Sequence, residues 1–175
     1  MFKKIDKKDL AFFKTIMPKE DILVGNEISE DYEKDEIGTV RKAPNVVCKV
    51  NNTQEISAIM KYANEKLIPV TVRGSGTGLV GACVPVYEGI LLDMTKMNKI
   101  INLDEKNLVL EVEPGVLLMD IYEYVEQRGY FYAPDPGEKT ATIGGNVATN
   151  AGGMRAVKYG VTRDWVKAME VVLPN

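Results

Sequence analysis

The sequence predicts a mixed α/β (α+β) chain of two lobes, a small strand-helix-strand lobe and a mixed-sheet lobe. Three observations carry this expectation. An alternating apolar run at Val46–Val50 is followed by a helical repeat and then by a second apolar run ending at Arg73. Two further short apolar runs flank Asp104-Glu105-Lys106-Asn107, as a hairpin would. The third is that most glycines gather in two regions, one after Arg73 and one around Asn150. Residues 1–42 read as a lead-in and 43–175 as the main domain.

In chain order, Lys8 to Met17 forms an amphipathic helix with Leu10, Phe13, Ile16 and Met17 on one side, stopped by Pro18. Residues 19–42 are an irregular polar stretch whose acids (Glu27, Glu30, Asp31, Glu33, Asp35, Glu36) read as solvated surface. Val46–Val50 is a strand. Asn52 or Thr53 caps a helix in which Ile56, Ile59, Met60, Ala63 and Leu67 recur at helical spacing. Val70–Arg73 then returns as a strand, so the unit implies a parallel pair with a right-handed crossover. Ile90–Asp93 is a further strand, Lys99–Leu103 and Leu108–Val112 the hairpin, and Leu117–Arg128 a helix ended by Gly129. Trp165–Leu173 reads as a final strand without a partner, which leads us to expect a chain cut short at its carboxyl end.

The turn Arg73-Gly74-Ser75-Gly76-Thr77-Gly78-Leu79-Val80-Gly81 has the chemistry of a diphosphate cradle. Its four glycines in eight residues (74–81) permit positive φ and close backbone approach. Arg73 adds a positive charge, Ser75 and Thr77 add hydroxyl donors, and no carboxylate occurs in sequence from Arg73 to Tyr87. Gly76-Thr77-Gly78-Leu79-Val80-Gly81 matches G-x-G-x-x-G and follows a strand, but the residues after it cannot open a helix. Val84, Pro85, Val86 and Gly89 intervene before the next strand, so a Rossmann unit is excluded. A Walker loop is excluded too, because no Gly-Lys-Ser/Thr follows.

A second ligand-facing wall is expected from Pro134-Asp135-Pro136-Gly137 and from Thr142-Ile143-Gly144-Gly145-Asn146 through Asn150-Ala151-Gly152-Gly153. These combine close backbone approach with neutral donors and acceptors suited to a polar heterocycle or a ribityl-like chain. A helix with glycine at a tight packing crossover is the competing reading of the same residues.

Composition narrows the function. The chain has 175 residues, 45% of them apolar, enough for a real core. A formal charge of −3 with scattered lysines gives no basic face for nucleic acid. No signal-peptide core and no run of about 18 apolar residues occur, so a cytoplasmic protein is expected. Cys48 and Cys83 lie far apart and the chain has no histidine, which argues against a metal site. Cys48 reads as a buried thiol. Without histidine the commonest general base is missing, so any catalytic base is expected outside these residues.

Five ordered motifs carry a resemblance: Pro69–Gly78, Pro134–Gly137, Thr142–Asn146, Asn150–Gly153 and Lys158-Tyr159-Gly160-Val161-Thr162-Arg163-Asp164. Together they resemble the FAD-binding domain of the vanillyl-alcohol oxidase (PCMH-type) flavoproteins, and most closely the branch of the glycolate oxidase D subunit and D-lactate dehydrogenase. The resemblance implies an FAD-binding domain over 43–175 and a carboxyl-terminal substrate domain that is absent from this chain. It implies that the Arg73–Gly78 turn holds the FAD diphosphate and that Pro134–Gly137 and Thr142–Gly153 line the ribityl and flavin portions. Asp93 and Glu113–Gly115 would border the adenine side. Covalent members often use a histidine in the first turn; Thr77 stands about there, which implies noncovalent FAD.

The implied reaction is hydride removal from the carbinol carbon of a 2-hydroxy acid by flavin N5, with electrons passed to a separate acceptor such as an electron-transfer flavoprotein. Alone, the chain is expected to be inactive. Two alternatives stay open: a reductase of the same domain type, such as the enolpyruvyl-aminosugar reductase, and a non-enzymatic phosphate-ligand or subunit-interaction domain.

Overall fold

A computed structural model describes residues 2–175. The chain forms two compact units, one built from residues up to Lys96 together with Val171–Asn175, the other from Met97–Glu170.

The first unit begins with α1 (Lys7–Ile16), whose Asp6 cap accepts from Lys8 and Asp9 in a capping box. Buried Phe13 faces the core, and Phe12 stacks on Tyr62 at 4.0 Å between ring centroids. The lead-in that follows is more ordered than its polarity suggests. It contains β1 (Ile22–Leu23) and three short 3₁₀ turns, with Asp21, Ile22 and Asp35 buried. Next come β2 (Val46–Lys49), α2 (Thr53–Lys66), β3 (Val70–Arg73) and β4 (Ile90–Asp93). Asn52 caps α2 by accepting from the Glu55 N–H at 2.9 Å, and Leu67 closes the helix in the left-handed region.

The sheet order is β1-β2-β4-β3, with β1 antiparallel to β2 and the other pairs parallel. The expectation that β2 and β3 pair directly is corrected: both are parallel, but β4 lies between them. Burial explains the insertion. All four residues of β4 are buried and need cover on both faces, whereas Val72 of β3 is 55% exposed and suits an edge. Lys49, Asp93 and Arg73 stand in register at the carboxyl ends of β2, β4 and β3, where open α/β sheets place ligands.

In the second unit, β5 (Ile100–Asp104) and β6 (Val109–Val112) form the expected antiparallel hairpin, and α3 (Leu118–Glu126) buries Leu118, Ile121 and Val125. The Thr142–Thr149 stretch is not an open loop. It forms α4 (Ile143–Thr149), capped by Thr142, and a short α5 (Ala156–Tyr159) follows. The strand expected over Trp165–Leu173 does not form: no ladder includes it, and Met169, Val171 and Leu173 are exposed. β-branched and apolar residues favour a strand only where a neighbour offers a ladder and a face to cover.

Candidate functional site

In the first unit the Arg73 turn projects from the carboxyl end of β3. Among the described residues, the N–H groups of Ser75, Gly76, Thr77 and Gly78 donate to no protein acceptor. Ser75 Oγ is buried and likewise has no partner. Buried polar atoms of folded proteins are ordinarily paired, so Ser75 Oγ lacks the partner such a hydroxyl usually has, and the four amides beside it are free to donate outward. A side chain at Gly78 would meet nothing within 4 Å, so its Cα faces open space.

Arg73 is buried, and its guanidinium serves the turn from within. Nη1 donates to the Lys34 carbonyl at 2.7 Å and contacts Cys83 Sγ at 3.2 Å. A Cβ on Gly76, which sits at φ +82°, would fall 2.0 Å from Arg73 Nη2. Gly76 is therefore glycine both for its left-handed backbone and to make room for the guanidinium beneath the turn. Cys83 is half-buried, and desolvation is the main cause that raises its thiol pKa.

Beside Gly74 and Ser75 lies a cavity of about 370 Å³, lined also by Tyr32, Lys49, Arg73, Asp93 and Thr95. Tyr32 donates to Asp93 Oδ2 at 2.6 Å; Thr95 gives Oδ1 both its N–H and its hydroxyl, at 2.9 and 2.6 Å. Desolvation, followed by the bond to Asp93, pushes the Tyr32 phenol well above its ordinary range, so it is a permanent donor. Asp93 thus lines the same cavity as Ser75.

Glu27, Glu30, Asp31 and Glu36 of the lead-in are exposed, as expected of solvated acids, but Asp35 is not. Asp35 is buried, its Oδ2 accepts from the Gly81 N–H at 2.7 Å, and its Oδ1 accepts from Gly38 at 3.0 Å. The absence of carboxylates from the turn's own sequence therefore does not make its surroundings free of negative charge. Spatial neighbours 40 residues upstream are invisible to a linear scan. One signal was legible: Asp35 three residues before Gly38 has the spacing of a side chain that accepts from a turn amide.

In the second unit Gly144 and Gly153 solve packing problems. A Cβ on Gly144 would lie 2.8 Å from Pro114 Cβ, and one on Gly153 would lie 1.7 Å from the Asp135 carbonyl oxygen. Gly144 N–H donates to the Pro114 carbonyl, and Thr142 Oγ1 caps the Gly145 N–H at 3.3 Å. A Cβ on Gly145 would meet only Thr142 Oγ1, at 3.2 Å, and one on Gly152 would make ordinary contacts with Val161 at 3.4 Å and Ala156 at 3.9 Å. Tyr122 donates to the Pro134 carbonyl at 2.6 Å, and Arg155 pairs with Asp135 at 3.4 Å. Asn150 adopts φ +48° and accepts from the Arg163 N–H, while buried Thr162 donates twice to the Ala151 carbonyl. The Thr162 motif is thus the latch of the Asn150 turn.

Two features of this unit remain open to a ligand. Asn146 is buried and its Nδ2 has no partner among the described residues. A Cβ on Gly137, at φ +90°, would meet nothing within 4 Å. Within their own units, then, Gly74–Gly78 with Ser75 and Asn146 with Gly137 retain free donors or open approach. Gly144 and Gly153 hold the backbone in place.

Within the first unit, a strand-end turn with unpaired amides and a buried unpaired hydroxyl has the chemistry of an anion-binding turn. Comparison with known proteins makes the class specific. A family model described as FAD binding domain matches residues 44–175. The chain belongs to this FAD-binding family of PCMH type, and FAD is its cofactor.

The D-lactate dehydrogenase of Anaerostipes hadrus is 51% identical over 175 residues, covering 99% of this chain and 37% of that protein. The glycolate oxidase subunit of Bacillus subtilis is 45% identical over 145 residues, covering 82% of this chain and 31% of that protein. The chain thus spans about a third of the length of the curated relatives it matches. Among solved structures, alkyldihydroxyacetonephosphate synthase superposes with a TM-score of 0.84 at 19% identity, over 99% of this chain and 38% of that one. That likeness bears out the mixed α/β architecture.

Proposed function

We propose that the chain is the FAD-binding portion of an enzyme that oxidises a 2-hydroxy acid. The supporting observation is that its relatives at 34–51% identity include D-lactate dehydrogenases, a glycolate oxidase subunit and D-2-hydroxyglutarate dehydrogenases. Lactate, glycolate and 2-hydroxyglutarate share one reacting group, a carbinol carbon next to a carboxylate. When bound, the flavin supplies a two-electron acceptor that lets such a substrate give up hydride and become a 2-oxo acid.

The residues of this chain bind and orient. In this reading the Ser75–Gly78 amides and Ser75 Oγ hold the FAD diphosphate, with Arg73 supporting the turn from below. Charge-assisted bonds of this type contribute about 1.5–3 kcal/mol each, so three or four suffice for firm binding. Asn146 Nδ2 and the Gly137, Gly145 and Gly152 backbone serve the ribityl and flavin portions, positioned by Thr142, Gly144, Asn150 and Gly153. Pro134 and Asp135 frame the same wall, and Thr77 makes no covalent bond to the cofactor.

The reading assigns 1–42 as lead-in and 43–175 as flavin domain. The base that takes the hydroxyl proton and the contacts to substrate carboxylate lie beyond these residues, and electrons leave to a separate acceptor. The enzyme is cytoplasmic in this reading; among the described residues no helix is long and apolar enough to cross a membrane.

The test is anaerobic absorption spectroscopy of the natural full-length protein. Bleaching of its yellow chromophore by D-lactate, glycolate or D-2-hydroxyglutarate supports the reading. Bleaching by NADPH and by none of these acids would replace it with a reductase.

A further inference from the structure

The lead-in touches the Arg73 turn at three places. The Lys34 carbonyl accepts from Arg73 Nη1 at 2.7 Å, at the start of the turn. The Glu36 N–H donates to the Gly78 carbonyl at 3.2 Å, in its middle. Asp35 Oδ2 accepts from the Gly81 N–H at 2.7 Å, at its end. Three consecutive residues thus bind a nine-residue turn that makes few bonds of its own. Between Ser75 and Val80 no N–H donates to protein among the described residues.

We propose that Asp35 is a positioning residue for the FAD diphosphate: by clamping Gly81 to the lead-in it presets the turn whose free amides meet the cofactor. This rests on the assignment of the diphosphate to that turn. A turn with several glycines has high conformational entropy, and an external brace removes that cost before binding. Asp35 serves both amides it faces: Oδ1 takes Gly38, which fixes the lead-in, and Oδ2 takes Gly81. Those two bonds, Gly38 first, hold its carboxyl below the ordinary aspartate range, so the brace is intact at neutral pH.

The proposal predicts an effect opposite in sign to simple electrostatics. Removing a negative charge close to an anion site should tighten FAD binding if charge alone matters. Loss of a brace should weaken it. The experiment uses the natural full-length protein, freed of flavin, with Asp35→Ala and Asp35→Asn. FAD affinity is read by flavin fluorescence, and amide hydrogen exchange is read over 74–81, β2 and α2.

In Asp35→Ala the FAD dissociation constant should rise about tenfold, with exchange over 74–81 at least about tenfold faster. Exchange in β2 and α2 should stay within about twofold of the parent, which marks the effect as local. Asp35→Asn keeps one acceptor oxygen and should shift both readouts in the same direction, by less. Tighter or unchanged FAD binding, or faster exchange spread evenly over β2 and α2, would overturn the proposal. Protection of the parent's Ser75–Gly78 amides by FAD tests the turn itself. If that protection is present while Asp35→Ala binds FAD normally, only the positioning role fails. If it is absent, the turn assignment fails and this inference with it.

Discussion

Replacing Gly76 with alanine loads the turn from inside rather than from the ligand side. The close backbone approach that the sequence implies at this turn would put a new side chain in the path of a diphosphate. In the structure the new Cβ falls 2.0 Å from Arg73 Nη2 and 2.4 Å from Cζ. A guanidinium at the end of a flexible chain could normally swing away at little cost. Arg73 is only 8% exposed, and its Nη1 is bonded to the Lys34 carbonyl, so moving it gives up that bond. A charge-assisted bond contributes about 1.5–3 kcal/mol. Holding alanine at φ +82° adds about 1–2 kcal/mol. The sum, about 2.5–5 kcal/mol, is a large share of the 5–15 kcal/mol typical of a folded domain.

The protein can meet that load by unfolding more readily or by letting the turn relax, which frees Arg73 but spoils the array of free amides. Urea unfolding and FAD titration of the natural full-length protein separate the two outlets. The turn sits at the edge of the sheet, so we expect most of the effect as lost FAD affinity, about 10- to 100-fold. Parental affinity together with parental stability would refute both the placement of Arg73 and the role of the turn.

Further outcomes follow from the same contacts. Ser75→Ala removes a buried hydroxyl without a partner, so the flavin-free protein should be as stable as the parent or slightly more so, while FAD affinity falls about tenfold. A loss of stability in the flavin-free form would show that the hydroxyl has a protein partner. Gly153→Ala and Gly137→Ala both place alanine at positive φ, but only Gly153 has a backbone oxygen in the way. Thermal unfolding should show a loss of at least about 3 kcal/mol for the first and about 1–2 kcal/mol for the second. Equal losses would mean that backbone strain alone is at work. Burial pushes the Asp9 and Asp21 carboxyls up, yet their bonds to Lys3 and Lys96 and to neighbouring donors outweigh it and hold both below the ordinary 3.8. Carboxyls depressed in the folded state stabilise it above the unfolded value, and this is lost as pH falls below 3.8 through the folded values. Urea midpoints should therefore drop over that window, and Asp9→Asn should flatten the drop.

Local structure was legible in the sequence wherever the signal was local. The alternation at Val46–Lys49, the Asn52 cap with its helical repeat and the Ile90–Asp93 run specify β2, α2 and β4 directly, because each pattern is written in adjacent residues. Sheet order was not legible. Placing β4 between β2 and β3 depends on which strand needs cover on both faces, and that is decided only when the whole core is assembled. The chemistry of the Arg73 turn could be read from its glycines and hydroxyls, but the buried, inward direction of Arg73 and the brace from Asp35 depend on contacts 39 and 46 residues apart.

The Thr142–Gly153 region shows the opposite limit. Its glycines read equally as places for a ligand or for tight packing, and two of them stand against protein: Gly144 against Pro114, Gly153 against Asp135. A glycine in sequence announces a close approach without saying what approaches. The Trp165–Leu173 stretch had strand composition but no ladder to join, and it stayed irregular.

The most direct measurement is a crystal structure of the natural full-length protein with FAD bound. The Ser75–Gly78 N–H groups should lie within hydrogen-bond distance of diphosphate oxygens, with Arg73 still beneath Gly76 and bonded to Lys34. A diphosphate held elsewhere, with those amides facing solvent, would contradict the account.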